Sequence, residues 1–311
     1  MHRLLIAAGA VAILAPVVAT AQTNRLDGMV QPPGRGNLDD GPPLLEVKLE
    51  TSYTVGGETK FRGAKFGDSG AFAVNLSAST FVRLSQSDEK WMLPLELQSQ
   101  NLSLDSLVGV PLPDRINTLE FSTGLAYKPN DRWMFMARIS PTLYKFDDLG
   151  ANDISFSGGL MAEWEYSPSV KWMFGLMVQP DNDLPVLPLV GVDWRINEQW
   201  ELQLMLIKPR VIYTLNDQWK FHAGMGLNFG TTFRTSDTLG TSIGLPRFND
   251  ALGQYSDMRV GGGVEYQLNK SWSFAAEAGY SMNREIDYQD IDEKVKFGNA
   301  PYFSLGLKFE F

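Results

Sequence analysis

From residue 44 to the C-terminus, apolar and polar residues alternate along the chain with a period of two. In the first such segment Leu45, Val47 and Leu49 alternate with Lys48 and Glu50. Successive side chains of a β-strand point to opposite sides, so this pattern predicts strands with one apolar and one polar face. No segment beyond the first 21 residues has a sustained helical period. The pattern therefore predicts an all-β chain.

A second pattern marks the turns between these strands. A tryptophan follows a short polar segment four times, at 130–133, 197–200, 216–219 and 269–272, and twice more loosely before Trp91 and Trp172. Asn and Asp favour tight turns, so each segment predicts a turn whose tryptophan begins the next strand on its apolar face. Two strands, joined by a longer and more variable connection, lie between successive turns. Six turns therefore separate seven strand pairs, which predicts 14 strands.

The predicted strands lie near 44–55, 70–84, 91–104, 117–128, 132–143, 153–166, 170–178, 187–196, 199–206, 210–216, 218–230, 257–268, 271–282 and 301–311. A transmembrane strand usually needs about 9 to 11 residues. The ninth and tenth are short by this measure, and if they do not cross, the count is twelve.

Strand length and turn length together select the architecture. A secreted β-sandwich also alternates, but its strands usually have about five or six residues. Long strands with short turns at one end and irregular connections at the other are typical of outer-membrane barrels. We therefore predict a closed antiparallel up-and-down transmembrane β-barrel over residues 44–311. We expect the longer connections to face the outside of the cell, namely 56–69, 105–116, 231–256 and 283–299. At the opposite membrane interface we expect an aromatic girdle formed by Trp91, Trp133, Trp172, Trp200, Trp219 and Trp272.

The N-terminus predicts export from the cytoplasm. Met1, His2 and Arg3 precede an apolar stretch from Leu4 to Val18, and residues 19–21 have the small-x-small form of a cleavage site. This pattern predicts a secretory signal peptide over residues 1–21. Residues 22–43 are rich in Gly, Pro and Asp, which predicts a flexible linker.

Composition excludes several kinds of chemistry. The chain has no cysteine and two histidines, so it has no disulfide framework, no cysteine nucleophile and no multi-histidine metal site. A formal net charge of −9 without a basic run argues against a nucleic-acid partner. His222, the histidine that remains after cleavage, is expected to be an interior polar residue. We expect no enzyme, no cofactor and no metal.

The C-terminal strand carries a family resemblance. Residues 302–311 (YFSLGLKFEF) alternate and end on phenylalanine, and they resemble the closing strand of Gram-negative outer-membrane proteins. The resemblance implies that Phe303, Phe309 and Phe311 form a signal for the barrel-assembly machinery, that periplasmic chaperones assist biogenesis, and that the barrel contacts outer-membrane lipid and lipopolysaccharide. Residues 187–194 and 208–213 also resemble a family of uncharacterised outer-membrane barrels, which implies a porin-like protein of the Gram-negative outer membrane without assigning functional residues.

The polar faces predict the content of the barrel. Acidic and basic residues occur there in nearly equal numbers. Many glycines on the same faces are expected to leave room for water, namely Gly124, Gly159, Gly175, Gly224, Gly226, Gly261, Gly263 and Gly279. Near-balanced charge predicts either cross-strand pairs in a narrow interior or a weakly cation-selective aqueous path. The candidate pore-lining residues are Glu120, Arg138, Glu163, Glu165, Asp193, Arg195 and His222.

Two functions follow from this interior. The first is a narrow passive channel for small hydrophilic solutes or ions. The alternative is a closed structural or adhesive barrel whose extracellular loops bind a partner. The sequence leaves the solute and the oligomeric state open.

Overall fold

A computed structural model describes residues 45–84, 90–144, 153–182 and 185–311. The predicted signal peptide (1–21) and linker (22–43) lie outside these residues. The strands are β1 (Glu46–Phe61), β2 (Ala64–Arg83), β3 (Trp91–Leu104), β4 (Arg115–Asn130), β5 (Trp133–Leu143), β6 (Ile154–Ser167), β7 (Val170–Val178), β8 (Val186–Arg195), β9 (Trp200–Met205), β10 (Arg210–Thr214), β11 (Trp219–Arg234), β12 (Leu252–Gln267), β13 (Trp272–Tyr288), β14 (Glu293–Phe297) and β15 (Ala300–Glu310).

The strands form one closed antiparallel ring. Each strand from β1 to β13 pairs with the next, and β15 pairs with both β13 and β1. The short β14 continues the line of β15 and pairs with the same two neighbours, so the two share one position. The ring therefore has 14 positions, which confirms the predicted barrel and the higher of the two strand counts.

Leu45 and Phe311, the first and last described residues, lie at the same end of the ring as the six tryptophans that begin strands or lie near their start, and we name it the Trp end. In four turns the side-chain oxygen of the leading asparagine accepts two backbone N–H groups. At Asn216 these come from Gln218 and Trp219, both at 2.9 Å. The same pattern recurs at Asn130, Asn197 and Asn269. Each asparagine thus closes the turn and fixes the first residue of the next strand.

Most of the barrel's outer surface is apolar, as alternation predicts. Leu160, Leu305 and Phe156 on this surface expose 63%, 64% and 57% of their area. Side chains on the other face are smaller or polar. A barrel in a bilayer needs this arrangement, because hydrocarbon contacts its outside and water its inside.

At the opposite end, which we name the loop end, the alternation reverses. The register of β1 and β2 shifts between Thr54 and Gly57, and Asn283 in β13 has a φ of 51° beside a second shift. A bulge adds one residue, so every later side chain changes face. Beyond the shift in β1, Phe61 is buried inside the ring whereas Lys60 is exposed.

The reversed segments build a second core, the apolar cap. Its members come from the loop-end parts of β1 to β4, β11 to β14 and the two intervening connections: Phe61, Ala71, Ala73, Leu102, Leu104, Val110, Leu112, Ile116, Phe233, Phe248, Ala251, Tyr255, Ile286, Tyr288, Val295 and Phe297. β4 and β11 stand on opposite walls of the ring yet approach within 8 Å between Cα atoms. The cap therefore lies in the lumen between these walls.

Aromatic contacts hold the cap together. The ring of Phe248 lies 5.0 Å from that of Tyr288 and 5.9 Å from that of Phe61, both in edge-on geometry. Burial raises the pKa of the Tyr288 phenol, and its hydroxyl donates to the carbonyl of Pro111. Because this site excludes water, the hydrogen bond is stronger than one at the surface, and it links β13 to the connection between β3 and β4.

The prediction that 56–69 and 283–299 are connections is wrong in part, whereas their outward orientation stays a prediction. Residues 56–69 are strand except for the turn at Arg62 and Gly63, and much of 283–299 is strand as well. The segment 231–256 contains the ends of β11 and β12 and one short helix, α1 (Leu239–Ser242). No helix in the described part of the chain is long and apolar enough to span a membrane. The strands continue past the apolar band because the bulges turn their apolar side chains inward.

The orientation of the barrel can be tested with cysteines, since the chain has none. Asp237 lies at the loop end and Asp217 in a turn of the Trp end, and both are exposed. We expect Asp237→Cys, but not Asp217→Cys, to react with a membrane-impermeant maleimide in intact cells. Reaction at position 217 alone would invert the assigned orientation, and lysed cells in which both react provide the control.

The bulge in β1 depends on the absence of a side chain at Gly57. A Cβ built there would lie 2.5 Å from the carbonyl oxygen of Gly298, in the link between β14 and β15, whereas a Cβ at Gly226 has no atom within 4 Å. We expect Gly57→Ala to lower the free energy of unfolding by about 1 to 3 kcal/mol. Gly226→Ala should change it by less than about 0.5 kcal/mol. Urea unfolding of the barrel refolded into lipid vesicles measures both, and equal values would contradict the bulge argument.

Candidate functional site

The lumen between the Trp end and the apolar cap is the candidate site. Its wall carries the polar faces of the strands, and its two sides differ. From β3 to β9 the side chains are large and joined to one another. From β10 through β15 to β1 many are small, and an open cavity remains.

Glu120 and Arg138 belong to the filled side. Glu120 is buried and accepts hydrogen bonds from Ser122 at 2.9 Å and Thr142 at 3.1 Å. Arg138 forms a buried ion pair with Glu96, which lies two strands away on β3. A contact that skips the intervening strand requires both side chains to point into the lumen. These two candidates therefore fill the interior in bonded form.

A lysine that the sequence analysis did not select organises three further candidates. The Lys171 ammonium donates to Glu163 at 3.0 Å. In the strand register Lys171 also lies opposite Glu165 on one side and Asp193 on the other. One cation therefore stands among three carboxylates and offsets part of their charge in a site that is largely closed to water. The set is therefore a local charge cluster near the Trp end.

Arg195 and His222 occupy different surroundings. Arg195 is exposed at the end of β8, opposite Glu201, beside the Trp-end turn. The His222 Nε2 lies 2.9 Å from a Glu277 oxygen, and the Tyr302 hydroxyl donates to the other oxygen of that carboxylate. Of the seven candidates, His222 lines the open cavity.

The cavity has a volume of about 240 Å³ and a charged lining of both signs. Its acidic side chains are Glu50, Asp257, Glu265 and Glu277, and its basic side chains are Lys208, Arg210 and Arg259. The space is enough for several water molecules, whose share of liquid volume is about 30 Å³ each. A passage with mixed charges can hold ions of either sign without trapping one of them.

The best-bonded group in this lining is Arg259. Its guanidinium donates to Asp257 at 2.9 Å and lies 5.0 Å over the Tyr302 ring. Asp257 also accepts hydrogen bonds from Ser281 at 2.9 Å and Asn228 at 3.1 Å. This arrangement fixes the charges just below the cap, so their positions are set before any solute arrives.

The glycine argument needs correction. Of the glycines expected to leave room for water, Gly226 faces space in which a Cβ has no neighbour within 4 Å. At five others a Cβ would come closer than 3.0 Å to a backbone oxygen of the neighbouring strand or of the connection that leads into it, namely Gly124, Gly224, Gly261, Gly263 and Gly279. These glycines allow neighbouring strands to approach, as a strongly coiled sheet requires. They do not measure the width of the lumen.

The predicted girdle residues share one end of the outer surface. Each of the six tryptophans lies at or near the start of its strand, and five of them meet an aromatic ring of the neighbouring strand, such as Trp91 with Tyr127 at 4.3 Å. Trp172 instead meets Phe174 on its own strand. Their contact with a membrane interface stays a prediction.

The C-terminal aromatics lie on the closing strand. Phe303 exposes 57% and Phe311 70% of its surface, whereas Phe309 packs on Trp272. Their role in assembly stays a prediction. No cluster of three or more potential metal ligands occurs among the residues that the structure describes.

Known proteins share the fold of this chain at low sequence identity. A family model described as Domain of unknown function (DUF6268) matches residues 58–310. No curated protein matches the chain. A mutant of the TodX monoaromatic hydrocarbon channel superposes with a TM-score of 0.51 at 10% identity, covering 94% of this chain and 96% of the other.

Two further solved structures superpose less closely. A FadL homologue from Pseudomonas aeruginosa has a TM-score of 0.48 at 12% identity and covers 86% of this chain and 90% of its own. The COG4313 outer membrane channel from Pseudomonas putida F1 has a TM-score of 0.46 at 12% identity, with 91% and 100% covered. The TodX superposition establishes a shared barrel fold.

The cavity charges can be tested by reversal. Arg210→Glu changes the lining from three basic and four acidic side chains to two and five. We expect a greater cation preference, seen as a shift of the reversal potential in a tenfold KCl gradient across a planar bilayer. Lys270→Glu makes the same change in an exposed Trp-end turn and is the matched control. Equal shifts for both variants would remove Arg210 from the conducting path.

Proposed function

We propose that this chain, which belongs to the family described as Domain of unknown function (DUF6268), is a passive channel in the outer membrane of a Gram-negative bacterium. Small hydrophilic solutes or ions cross through the open side of the lumen. The observation that carries the proposal is the cavity of about 240 Å³, lined by both signs of charge, inside a closed barrel. The mechanism contains no chemical step.

The mixed charge of the cavity lining favours passage of a solute over its tight binding. A solute that enters the cavity meets Arg259 and Asp257 already bonded to each other, so neither group has to be neutralised by the solute. Transit requires binding that is favourable enough for entry and weak enough for release. We infer weak selectivity and a small conductance, since the filled side leaves only part of the cross-section free.

The apolar cap acts as the constriction on this path. Its residues are almost without solvent contact, with Phe248, Ile286 and Tyr288 at 0% exposure. Apolar constrictions hinder ions because water leaves them. The proposed channel is therefore narrowest at the loop end and widest in the charged cavity below it.

The alternative of a structural or adhesive barrel gives less account of the lumen. A barrel that acts only through its outer loops needs no cavity, and large side chains could fill the β10 to β15 side as they fill the other. The charged cavity therefore favours transport.

Single-channel recording in a planar bilayer tests the proposal. Wild-type protein should conduct weakly, and Phe248→Ala should raise the mean current at least twofold because it opens the centre of the cap. Phe248 contacts Phe61 and Tyr288, so its loss costs about 3 to 5 kcal/mol of local packing.

Val108→Ala is the matched control, because Val108 exposes 98% of its surface on a neighbouring loop-end connection. Heat-modifiable migration on a gel verifies that each variant is a folded barrel. If wild type and Phe248→Ala both pass no current while they remain folded, the channel proposal is wrong.

A further inference from the structure

The cavity contains two opposite charges that the barrel leaves unpaired. The Arg210 Nε donates to the Gln203 side chain at 2.6 Å, and its two terminal nitrogens form no hydrogen bond or ion pair among the described residues. The Glu265 carboxylate likewise has no hydrogen bond or ion pair with any residue that the structure describes. Both side chains line the cavity. A charge withdrawn from bulk water needs a partner, so each group is available to a ligand charge of the opposite sign.

Glycines between the two charges explain why they do not meet a partner. In the strand register Arg210 lies opposite Gly224, and Gly224 lies opposite Gly261. On β12, Gly263 is the next residue on the same face as Glu265. The wall between Arg210 and Glu265 therefore carries no charged side chain at these three positions, and a ligand can extend along it.

Other charged groups of the cavity already have partners. Glu277 accepts from the Tyr302 hydroxyl through one oxygen, and its other oxygen lies 2.9 Å from the His222 Nε2. Arg259 donates to Asp257 at 2.9 Å. These bonds use the side chains that stand closest to the glycines, and none of them reaches the two unpaired groups. The unpaired charges are therefore a property of the cavity wall and not of one missing contact.

Each unpaired group stands near a second charge of its own sign. Lys208, two residues before Arg210, also lines the cavity. From Glu265 the register leads across β13 and β15, through one alanine and one glycine, to Glu50 on β1, which lines the cavity as well. The cavity is therefore positive beside the tip of the β9–β10 hairpin and negative nearer the Trp end.

The spacing of the two unpaired groups determines the shape of a ligand that joins them. On β11, Gly224 lies opposite Arg210, and Lys220 lies opposite Glu265 without an ion pair in the described part of the chain. Four residues along a strand span about 13 Å and two strand intervals about 10 Å, so the two Cα atoms are about 16 Å apart. Side chains that project from a concave wall converge, so the charged ends are several ångströms closer. A ligand that meets both needs its charges at opposite ends of a chain.

We propose that this cavity binds short, unbranched zwitterions with a carboxylate at one end and an ammonium at the other. The carboxylate meets the terminal nitrogens of Arg210, which offer paired donors to its two oxygens, and the ammonium meets Glu265. The volume of about 240 Å³ limits the ligand to a small molecule. The inference rests on the proposed function, because it names the class of solute that the lumen takes up.

Equilibrium dialysis tests the site without requiring ion conduction. The barrel is folded in detergent micelles and dialysed against radiolabelled 6-aminohexanoate or norleucine. The two molecules are isomers, but norleucine carries its ammonium and its carboxylate on the same carbon and cannot reach both groups. We expect 6-aminohexanoate to bind at least about fivefold more tightly, because it alone forms both charge-assisted contacts. Equal affinities for the two isomers overturn the proposal.

Variants of the two unpaired groups locate the site. Arg210→Gln and Glu265→Gln should each lower the affinity for 6-aminohexanoate at least about fivefold and leave that for norleucine unchanged. Arg132→Gln and Glu198→Gln, in exposed turns of the Trp end, are the matched controls and should bind as the wild type does. Arg210→Lys keeps the charge and should retain most of the affinity, which separates the charge from packing on Gln203. Unchanged affinity in both cavity variants contradicts the proposal, and heat-modifiable migration verifies that each variant is folded.

Swelling of vesicles distinguishes this inference from the channel itself. Vesicles that contain the barrel are placed in isotonic 6-aminohexanoate, norleucine or arabinose, and faster entry of 6-aminohexanoate than of norleucine supports the zwitterion site. If arabinose enters, and the two isomers enter at equal rates and bind with equal affinity, the channel stands and the zwitterion site is wrong. If no solute enters while 6-aminohexanoate binds selectively, the site stands and the channel proposal is wrong.

Discussion

Backbone hydrogen bonding in the absence of water is the constraint on which this structure depends. A sheet in hydrocarbon has to close, because every free edge leaves amide groups without partners. Here the first and last described residues complete the ring, with the Leu45 N–H donating to Phe311 and the Phe311 N–H donating to Leu45 at 3.2 and 2.9 Å. Antiparallel closure needs an even number of positions. That requirement explains why the short β9–β10 hairpin keeps its place in the ring.

The same constraint explains the change of character at the loop end. Where water replaces hydrocarbon, an apolar outer face has no advantage and an apolar interior does. One added residue in a strand is enough to exchange the two faces, and the shift beside Gly57 and the left-handed Asn283 achieve this on β1 and β13. On the outside, ion pairs replace leucines, as Arg62 and Glu293 show at 2.9 Å. Inside the ring, the cap forms from apolar side chains at positions that would face lipid if the alternation of the membrane-spanning part continued unchanged.

Local signals explain why most of the fold could be predicted from the sequence. Alternation and asparagine turns act over a few residues, and both are visible without any knowledge of partners. The alternation does not predict that β1 and β2 continue through residues 56–69. The bulge beside Gly57 adds one residue, so the inward and outward positions exchange there and the segment no longer looks like a strand with an apolar outer face. The candidate site was harder. Arg138 meets Glu96 and His222 meets Glu277 across an intervening strand, and such contacts depend on the register of three strands at once.

The uneven lumen follows from how those registers combine. On the β3 to β9 side, long charged side chains meet partners at their own height, as Lys171 meets Glu163, and the space between the walls is consumed. On the other side the wall carries residues with little or no side chain, such as Gly226, Ala275 and Gly306. These residues do not extend into the lumen, so a cavity remains beside the charged groups of Arg259 and Glu277. The shortened hairpin lies at the edge of this cavity. The length of the side chains on each wall, and not the number of strands, therefore determines where the lumen of this barrel stays open.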